Sequence, residues 1–254
     1  MPVEPDGTDR FQAMSRKAVE SYYRWRIAIL FRILRNELAL RSVFSPRLKV
    51  IYFCNPKVAG STIIGTLVRS DDPDLARELG DLNTLAARRR ISSEHDPMAF
   101  WSALNDPAVL KFSFVRDPYS RLLSCYKDKI VQAQNAERFR RALGLPETGE
   151  VAFSAFLKAI ARQRPGAMNR HWRPQARLLP PSLPMDFIGK FEHFDGDFGK
   201  VLDRLNLPAS NLTVLRGHAT GTGAGGAVSL TSEEISLINR IYREDFLRFG
   251  YCMR

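Results

Sequence analysis

An α/β fold with a central, mainly parallel sheet flanked by helices is what this sequence predicts. Two short apolar runs rich in β-formers, Leu48–Cys54 and Lys111–Val115, carry the expectation, since each leads through a turn into a stretch of helical periodicity. Alternating strands and helices lay successive strands parallel, because a helix returns the chain to the starting edge of the sheet. Composition agrees. The 254 residues are 44% hydrophobic and 26% charged, inside the globular range, and a compact chain of this length has a radius of gyration of roughly 18 Å.

Residues 1 to about 15 form a polar lead-in with Pro2, Pro5 and Gly7. From about Ser15 to Ser42, Trp25, Ile29, Ile33 and Leu40 recur near helical spacing with arginines between them. Residues 1–47 are therefore set apart as an N-terminal basic amphipathic helical segment, and 48–254 as the main domain. Packing on that domain is the plainer role for the helix; its Arg, Trp and Tyr content also suits peripheral contact with a membrane.

Asn55-Pro56 ends the first strand, and Ala59–Arg69 reads as helix. Ala86–Leu104 is helical and carries Arg88–Arg90. After the second strand, Asp117 and Pro118 form an N-cap and N1 pair opening a long helix from Tyr119 to about Leu143. Val151–Arg162 is helical, and a proline-rich stretch follows it to the apolar run Phe187–Phe191. Phe198–Leu205 reads as helix, Leu212–Leu215 as a short strand, and Arg216–Val228 as a loop holding five glycines. Thr231–Glu234 fits a capping box at the start of the last helix.

Charge narrows the partners. Thirty-eight basic against 27 acidic residues leave +11, which implies nucleic acid, a membrane surface, or a phosphate- or sulfate-bearing small molecule. Cys54, Cys125 and Cys252 form no CxxC pair, which argues for a reducing compartment and a cytoplasmic protein. His95, His171, His193 and His218 fall in no zinc-binding spacing, so no metal is expected. The longest uncharged stretch of the apolar N-terminal region, Ile27–Phe31, falls far short of the roughly 20 residues a spanning helix needs. The first 25 residues also lack a signal-peptide core.

Two strand-turn-helix units carry the chemistry. In Cys54–Thr62 (CNPKVAGST), a buried strand meets a tight turn, a lysine, small residues and two hydroxyls before a helix. Such a turn gathers backbone N–H groups and the positive helix end at one point, which suits phosphate. Gly60 allows close approach, Ser61 and Thr62 add hydroxyls, and Lys57 adds charge. The lysine precedes the glycine, so this is not a Walker A loop. In the second unit, Phe112–Lys127, Arg116 lies at the carboxyl end of its strand, where α/β sheets bind ligands. Ser124 lies two helical turns on, and both side chains could reach one phosphate. Arg121 and Lys127 could equally be surface charges.

Together these units resemble the PAPS-dependent carbohydrate sulfotransferases, specifically the HNK-1 and chondroitin/dermatan 4-O-sulfotransferase branch. PKVAGST resembles their 5′-phosphosulfate loop and FVRDPYSRLLSCYKDK their 3′-phosphate element. His171-Trp-Arg-Pro-Gln175, Asp186–Glu192 and Ile241–Tyr251 extend the likeness, in order, over about residues 48–251. The resemblance implies a P-loop-like three-layer domain that moves a sulfuryl group from PAPS to a carbohydrate or glycolipid hydroxyl and releases PAP. It implies that Lys57, Val58, Ala59, Gly60, Ser61 and Thr62 hold the 5′-phosphosulfate, with Lys57 on the leaving oxygen, and that Arg116 and Ser124 bind the 3′-phosphate. His95, 21 residues before Arg116, its neighbour Glu94, and His171 are the alternatives for the general base. The Golgi enzymes of this branch carry a membrane anchor and paired cysteines that this sequence lacks; both departures fit a cytosolic relative of bacterial type.

A different nucleotide-dependent transferase, such as a kinase, and a non-catalytic basic protein that binds nucleic acid are the competing classes. Gly221–Gly226 satisfies GxGxxG but opens no helix directly, against a dinucleotide site. Asp195-Gly-Asp197 fits a metal-binding pair only by chance spacing, and Arg138, Arg140 and Arg141 read as a solvated face.

Overall fold

Among the described residues four short strands, β1 (Ser42–Ser45), β2 (Val50–Phe53), β3 (Leu110–Val115) and β4 (Phe187–Lys190), make one sheet in that order. A computed structural model of the chain describes residues 42–80, 97–132, 136–208 and 229–254, with positions 21, 82, 84, 86, 87, 90 and 91. Of the helix expected over about Ser15–Ser42, Ser42 instead opens strand β1, and all but position 21 of the rest lies outside the described residues, as do the strand at 212–215, the glycine-rich loop with its GxGxxG, and both Glu94 and His95. The two strands read from the sequence are the central ones, β2 (Val50–Phe53) and β3 (Leu110–Val115), and every residue of both is buried. Lys111 sits in β3 because its ammonium reaches the Asp106 carbonyl at 2.8 Å and Asp186 at 3.7 Å.

β4 (Phe187–Lys190) runs parallel to β3, and β3 parallel to β2. β1 (Ser42–Ser45) is antiparallel to β2, so the sheet is mixed rather than parallel throughout. Only residues 46–49 separate β1 from β2, too few for the crossover a parallel pair needs. The register of β4 requires its glycine. A Cβ on Gly189 would stand 2.4 Å from the Phe114 ring, so any larger residue would push the strands apart.

Side chains alternate across the sheet. On one face Tyr52, Phe112 and Phe114 pack with Ile63, Ile64 and Leu67 of α1 (Gly60–Asp71) and with Phe198 and Leu202 of α8 (Phe194–Arg204). The helix α2 (Pro73–Leu79) follows α1. On the other face Phe44, Ile51, Phe53 and Val115 meet Phe100 of α3 (Pro97–Asn105), Ala176 of α7 (Gln175–Leu178) and Phe249 of α10 (Arg243–Phe249). A third cluster joins α4 (Pro118–Tyr126), α6 (Phe153–Ala161) and α9 (Ser232–Ile241) around Leu122, Phe156, Trp172 and Ile238.

The long helix expected from Tyr119 is broken. After α4 the chain makes a π-helical turn, Lys127–Val131, and helix resumes as α5 (Ala136–Ala142). Arg140, expected on a solvated face, is buried and donates to the carbonyls of Ile130, Glu147 and Gly149. It pins the π turn from behind. No described helix is long and apolar enough to cross a membrane.

Candidate active site

Because β2 and β3 are parallel neighbours, the turns that follow them emerge at the same edge of the sheet. The first turn, residues 54–59, is built under constraint. Lys57 and Ala59 hold left-handed backbone at φ 71° and 61°, uncommon for residues with a side chain. Val58 between them is fully buried in the core, so only its backbone faces the turn. α1 then begins with no side-chain cap, leaving its first N–H groups without an intrahelical partner. Gly60 is less demanding than its place in the motif implies. A Cβ there would stand 3.5 Å from the Tyr52 hydroxyl, an ordinary contact, so the fold itself leaves room for a small side chain.

The second turn is capped as its sequence predicts: the Asp117 side chain accepts from the Ser120 N–H and Pro118 opens α4. Arg116 is 5% exposed, stacks on the Phe191 ring at 4.2 Å, and donates from Nε to Ser120 Oγ at 3.1 Å. Its Nη1 reaches the carbonyl of Lys57 at 3.3 Å. Residues 59 positions apart thus share one site. Burial lowers the Arg116 pKa, and the charges of Glu192 and Asp117 oppose that shift. The hydroxyl that Arg116 touches is Ser120, which the sequence did not single out, while Ser124 one turn on has a buried Oγ with no hydrogen-bond partner.

Lys57 is not idle. Its ammonium lies 3.1 Å from Asp128 Oδ2, on the π turn, and Lys129 approaches the same oxygen at 3.2 Å. Burial alone would raise the Asp128 carboxyl; the two ammonium groups outweigh it and hold it below its ordinary value. His171 adjoins this cluster, with Phe139 edge-on at 5.9 Å and an Nδ1 that is buried without a partner. Burial, then the charges of Arg170 and Lys129, push its pKa down to about 2, so the imidazole is neutral. Asp128 opposes that shift.

Arg121 is a further correction. Far from a surface charge, it is 1% exposed and donates to the carbonyls of Pro56, Arg173 and Arg170. It ties the Lys57 turn to the segment that carries His171. Sequence reading also passed over Asn55, Gln175 and Asp245, which form a buried network between the two turns. The proline after Asn55 and the likeness around His171-Trp172 marked the neighbourhood, but no pattern marked these side chains. Among the described residues no group of three or more His, Cys, Asp or Glu is arranged to hold a metal ion. Asp197 of the Asp-Gly-Asp stretch instead accepts from the Lys190 N–H and pairs with Lys200.

The arrangement defines an α/β protein with two basic turns brought into contact at one sheet edge. A cavity of about 260 Å³ lined by Arg47, Lys49 and Arg204 lies at the opposite edge, where β2 and β3 begin, away from both turns. The chain belongs to the Sulfotransferase family, which it matches over residues 41–252. It is 29% identical over 195 residues to carbohydrate sulfotransferase 14 of Mus musculus, covering 68% of this chain and 49% of that protein. The human protein of the same name is 28% identical over the same span. Carbohydrate sulfotransferase 12 of Mus musculus is 30% identical over 172 residues, 56% of this chain and 40% of that one. The chain spans about half the length of the first of these curated relatives. No solved structure matches it.

Proposed function

We propose that the chain transfers the sulfuryl group of PAPS to a hydroxyl of a carbohydrate or glycolipid acceptor, releasing PAP. The observation that carries this reading is the contact of the Arg116 guanidinium with the Lys57 carbonyl, which joins two anion-receiving turns in one site. The donor presents anions at both ends, a 5′-phosphosulfate and a 3′-phosphate, and each turn offers a grip for one of them. The backbone of Val58 and Ala59, the open N-terminus of α1 at Gly60, and the hydroxyls of Ser61 and Thr62 hold the phosphosulfate. Arg116 and Ser124 hold the 3′-phosphate, and the unpartnered buried Ser124 hydroxyl supports that part.

In the reaction, the acceptor oxygen attacks sulfur in line, by analogy with phosphoryl transfer. The new O–S bond forms as the bond from sulfur to the 5′-phosphate oxygen breaks, and the electron pair leaves on that oxygen. Lys57 stabilises the developing charge, exchanging Asp128 for the leaving oxygen. The acceptor proton passes to a general base, for which His95, Glu94 and His171 are the candidates. His171 is held neutral as a base must be, but burial, ahead of the charges of Arg170 and Lys129, makes it a weak one.

The same reading takes the architecture as a P-loop-like three-layer domain, supported by helices against both sheet faces. Because β1 belongs to the sheet, it keeps as a unit that touches a membrane surface only the basic segment preceding residue 42, and it takes a cytoplasmic location, supported by three unpaired cysteines. The decisive experiment is transfer of labelled sulfate from PAPS into host-cell glycans, with mass spectrometry of the product. One-site binding of PAP and a sulfated sugar are expected; an unlabelled glycan pool with no PAP binding would end the proposal.

A further inference from the structure

Gln175 makes more hydrogen bonds at the site than any catalytic scheme requires. Its side chain is fully buried, and Oε1 accepts from the Arg116 N–H at 3.0 Å and from Asn55 Nδ2 at 2.8 Å. Nε2 donates to the Arg116 carbonyl at 2.8 Å. The amide therefore pairs with both backbone groups of Arg116, as a neighbouring strand would, just past the end of β3. Asn55 opens the Lys57 turn and also donates to the Phe114 carbonyl at 2.9 Å. Gln175 thus holds the backbone of the Arg116 turn directly and is tied to the Lys57 turn through the Asn55 side chain.

Behind it, Asp245 of α10 fixes Gln175 in turn. Asp245 Oδ2 accepts from the Gln175 N–H at 2.8 Å and from Nε2 at 3.4 Å, and Oδ1 from the Ala176 N–H at 2.8 Å. No charged side chain forms an ion pair with Asp245 among the described residues, and it is fully buried. A carboxylate is costly to place there, and burial does raise its pKa; the Ala176 N–H, the charge of Arg121, and the N–H and amide of Gln175 oppose that cost.

We propose that Gln175 is a positioning residue that sets the spacing between the two grips on the donor, with Asp245 holding Gln175 in place. The role rests on the donor-site reading. The donor spans two anion sites at a distance its own bonds fix, so the protein must present the grips at a matching distance. Reaction rates are steep in such geometry: a displacement of about 1 Å can cost roughly a hundredfold. A bidentate amide between two turns is a stiff way of holding that distance, because both its donors and both its acceptor directions are occupied.

The test uses the full chain and two variants. Gln175→Glu keeps size but replaces the Nε2 donor with an oxygen facing the Arg116 carbonyl and Asp245. Asp245→Asn leaves Gln175 intact and weakens its support. Thermal melting sets a temperature at which each variant is folded, and PAP binding and PAPS turnover are read there. Burial beside Asp245 raises the pKa of the introduced carboxyl, so the comparison runs from neutral to alkaline pH; where that carboxyl is ionised, Gln175→Glu should weaken PAP binding at least about tenfold and lower kcat further, with the acceptor KM unchanged. Asp245→Asn should shift both in the same direction by less. As pH falls, the carboxyl introduced by Gln175→Glu takes up a proton and regains a donor, so that variant's deficit in PAP affinity relative to wild type should narrow.

A folded Gln175→Glu with wild-type PAP affinity and kcat would overturn the proposal while leaving the donor site standing. So would a deficit that shows only as a lower Tm, or one that does not narrow with pH. If wild-type chain binds no PAP, the donor-site reading fails and the positioning role falls with it.

Discussion

Lys57 and Asp128 form one contact that bears on stability and, on the proposed function, on catalysis. The ammonium is 14% exposed and pairs with the carboxylate, so on that reading the charge offered to the leaving oxygen is already largely desolvated. Lys57→Ala should lower kcat by about 10²–10³, the scale of one lost transition-state contact, while PAP binding weakens far less. Arg116→Ala should do the reverse, weakening PAP binding by roughly 10–100-fold through loss of a charged hydrogen-bond donor. Titration calorimetry beside steady-state kinetics separates the two. Asp128 adds a pH signature. Its folded pKa is depressed, so its contribution is complete above the unfolded value near 4 and is lost as pH falls through the folded one. The Tm advantage of wild type over Asp128→Asn should therefore be constant at neutral pH, about 1 kcal/mol or less, and close below about pH 4. At this scale the sequence placed Lys57 and Arg116 just past neighbouring strand ends, and the structure brings those two turns into contact. Arg121 and Gln175 were not legible, since their partners are carbonyl and N–H groups that leave no trace in residue type.

Elements explain the next layer, and their caps can be tested apart from the chemistry. Thr231 and Glu234 form a reciprocal capping box at the start of α9, which packs Ile238 into the helical cluster. Asp117 caps α4, and the Ser120 hydroxyl of that same first turn accepts from Arg116. Either cap replaced by alanine should cost about 1 kcal/mol, near 2–4 °C in Tm for a chain of this size. Thr231→Ala should leave PAP affinity unchanged, whereas Asp117→Ala should weaken it, because the Arg116 partner moves with the cap. Equal PAP affinity in the two variants would detach the α4 cap from the donor site. Both caps were readable in sequence, since capping is local chemistry within four residues. The π turn was not. Apolar periodicity continues from α4 toward α5 on both sides of it, and one widened turn changes no residue type, yet it places Asp128 against Lys57. β1 was hidden for another reason: a four-residue strand with serines at both ends, covered by α1 on its Val43 face and by α3 on its Phe44 face, has no alternation to read.

On the scale of the whole molecule, a net charge of +11 fits either a small anionic donor or a long anionic polymer, and the two differ in where the cations must be. Arg116 and Arg121 are buried at the turns, and Lys57 is nearly so. Charges removed from water are screened little by salt, while exposed ones are screened within about a Debye length, roughly 8–10 Å at ordinary ionic strength. A surface that grips nucleic acid through some six to ten phosphates loses about 10³–10⁵ in affinity between about 50 and 200 mM salt. PAP, held by a few buried cations and backbone N–H groups, should lose no more than about tenfold over that range. Measuring both ligands on the same chain across salt decides between the classes. A shallow slope and one site for PAP, beside weak duplex binding that vanishes with salt, place the useful charge inside the fold. A PAP slope as steep as that of DNA would mean instead that the exposed arginines do the binding, and the paired turns would lose their claim to the donor.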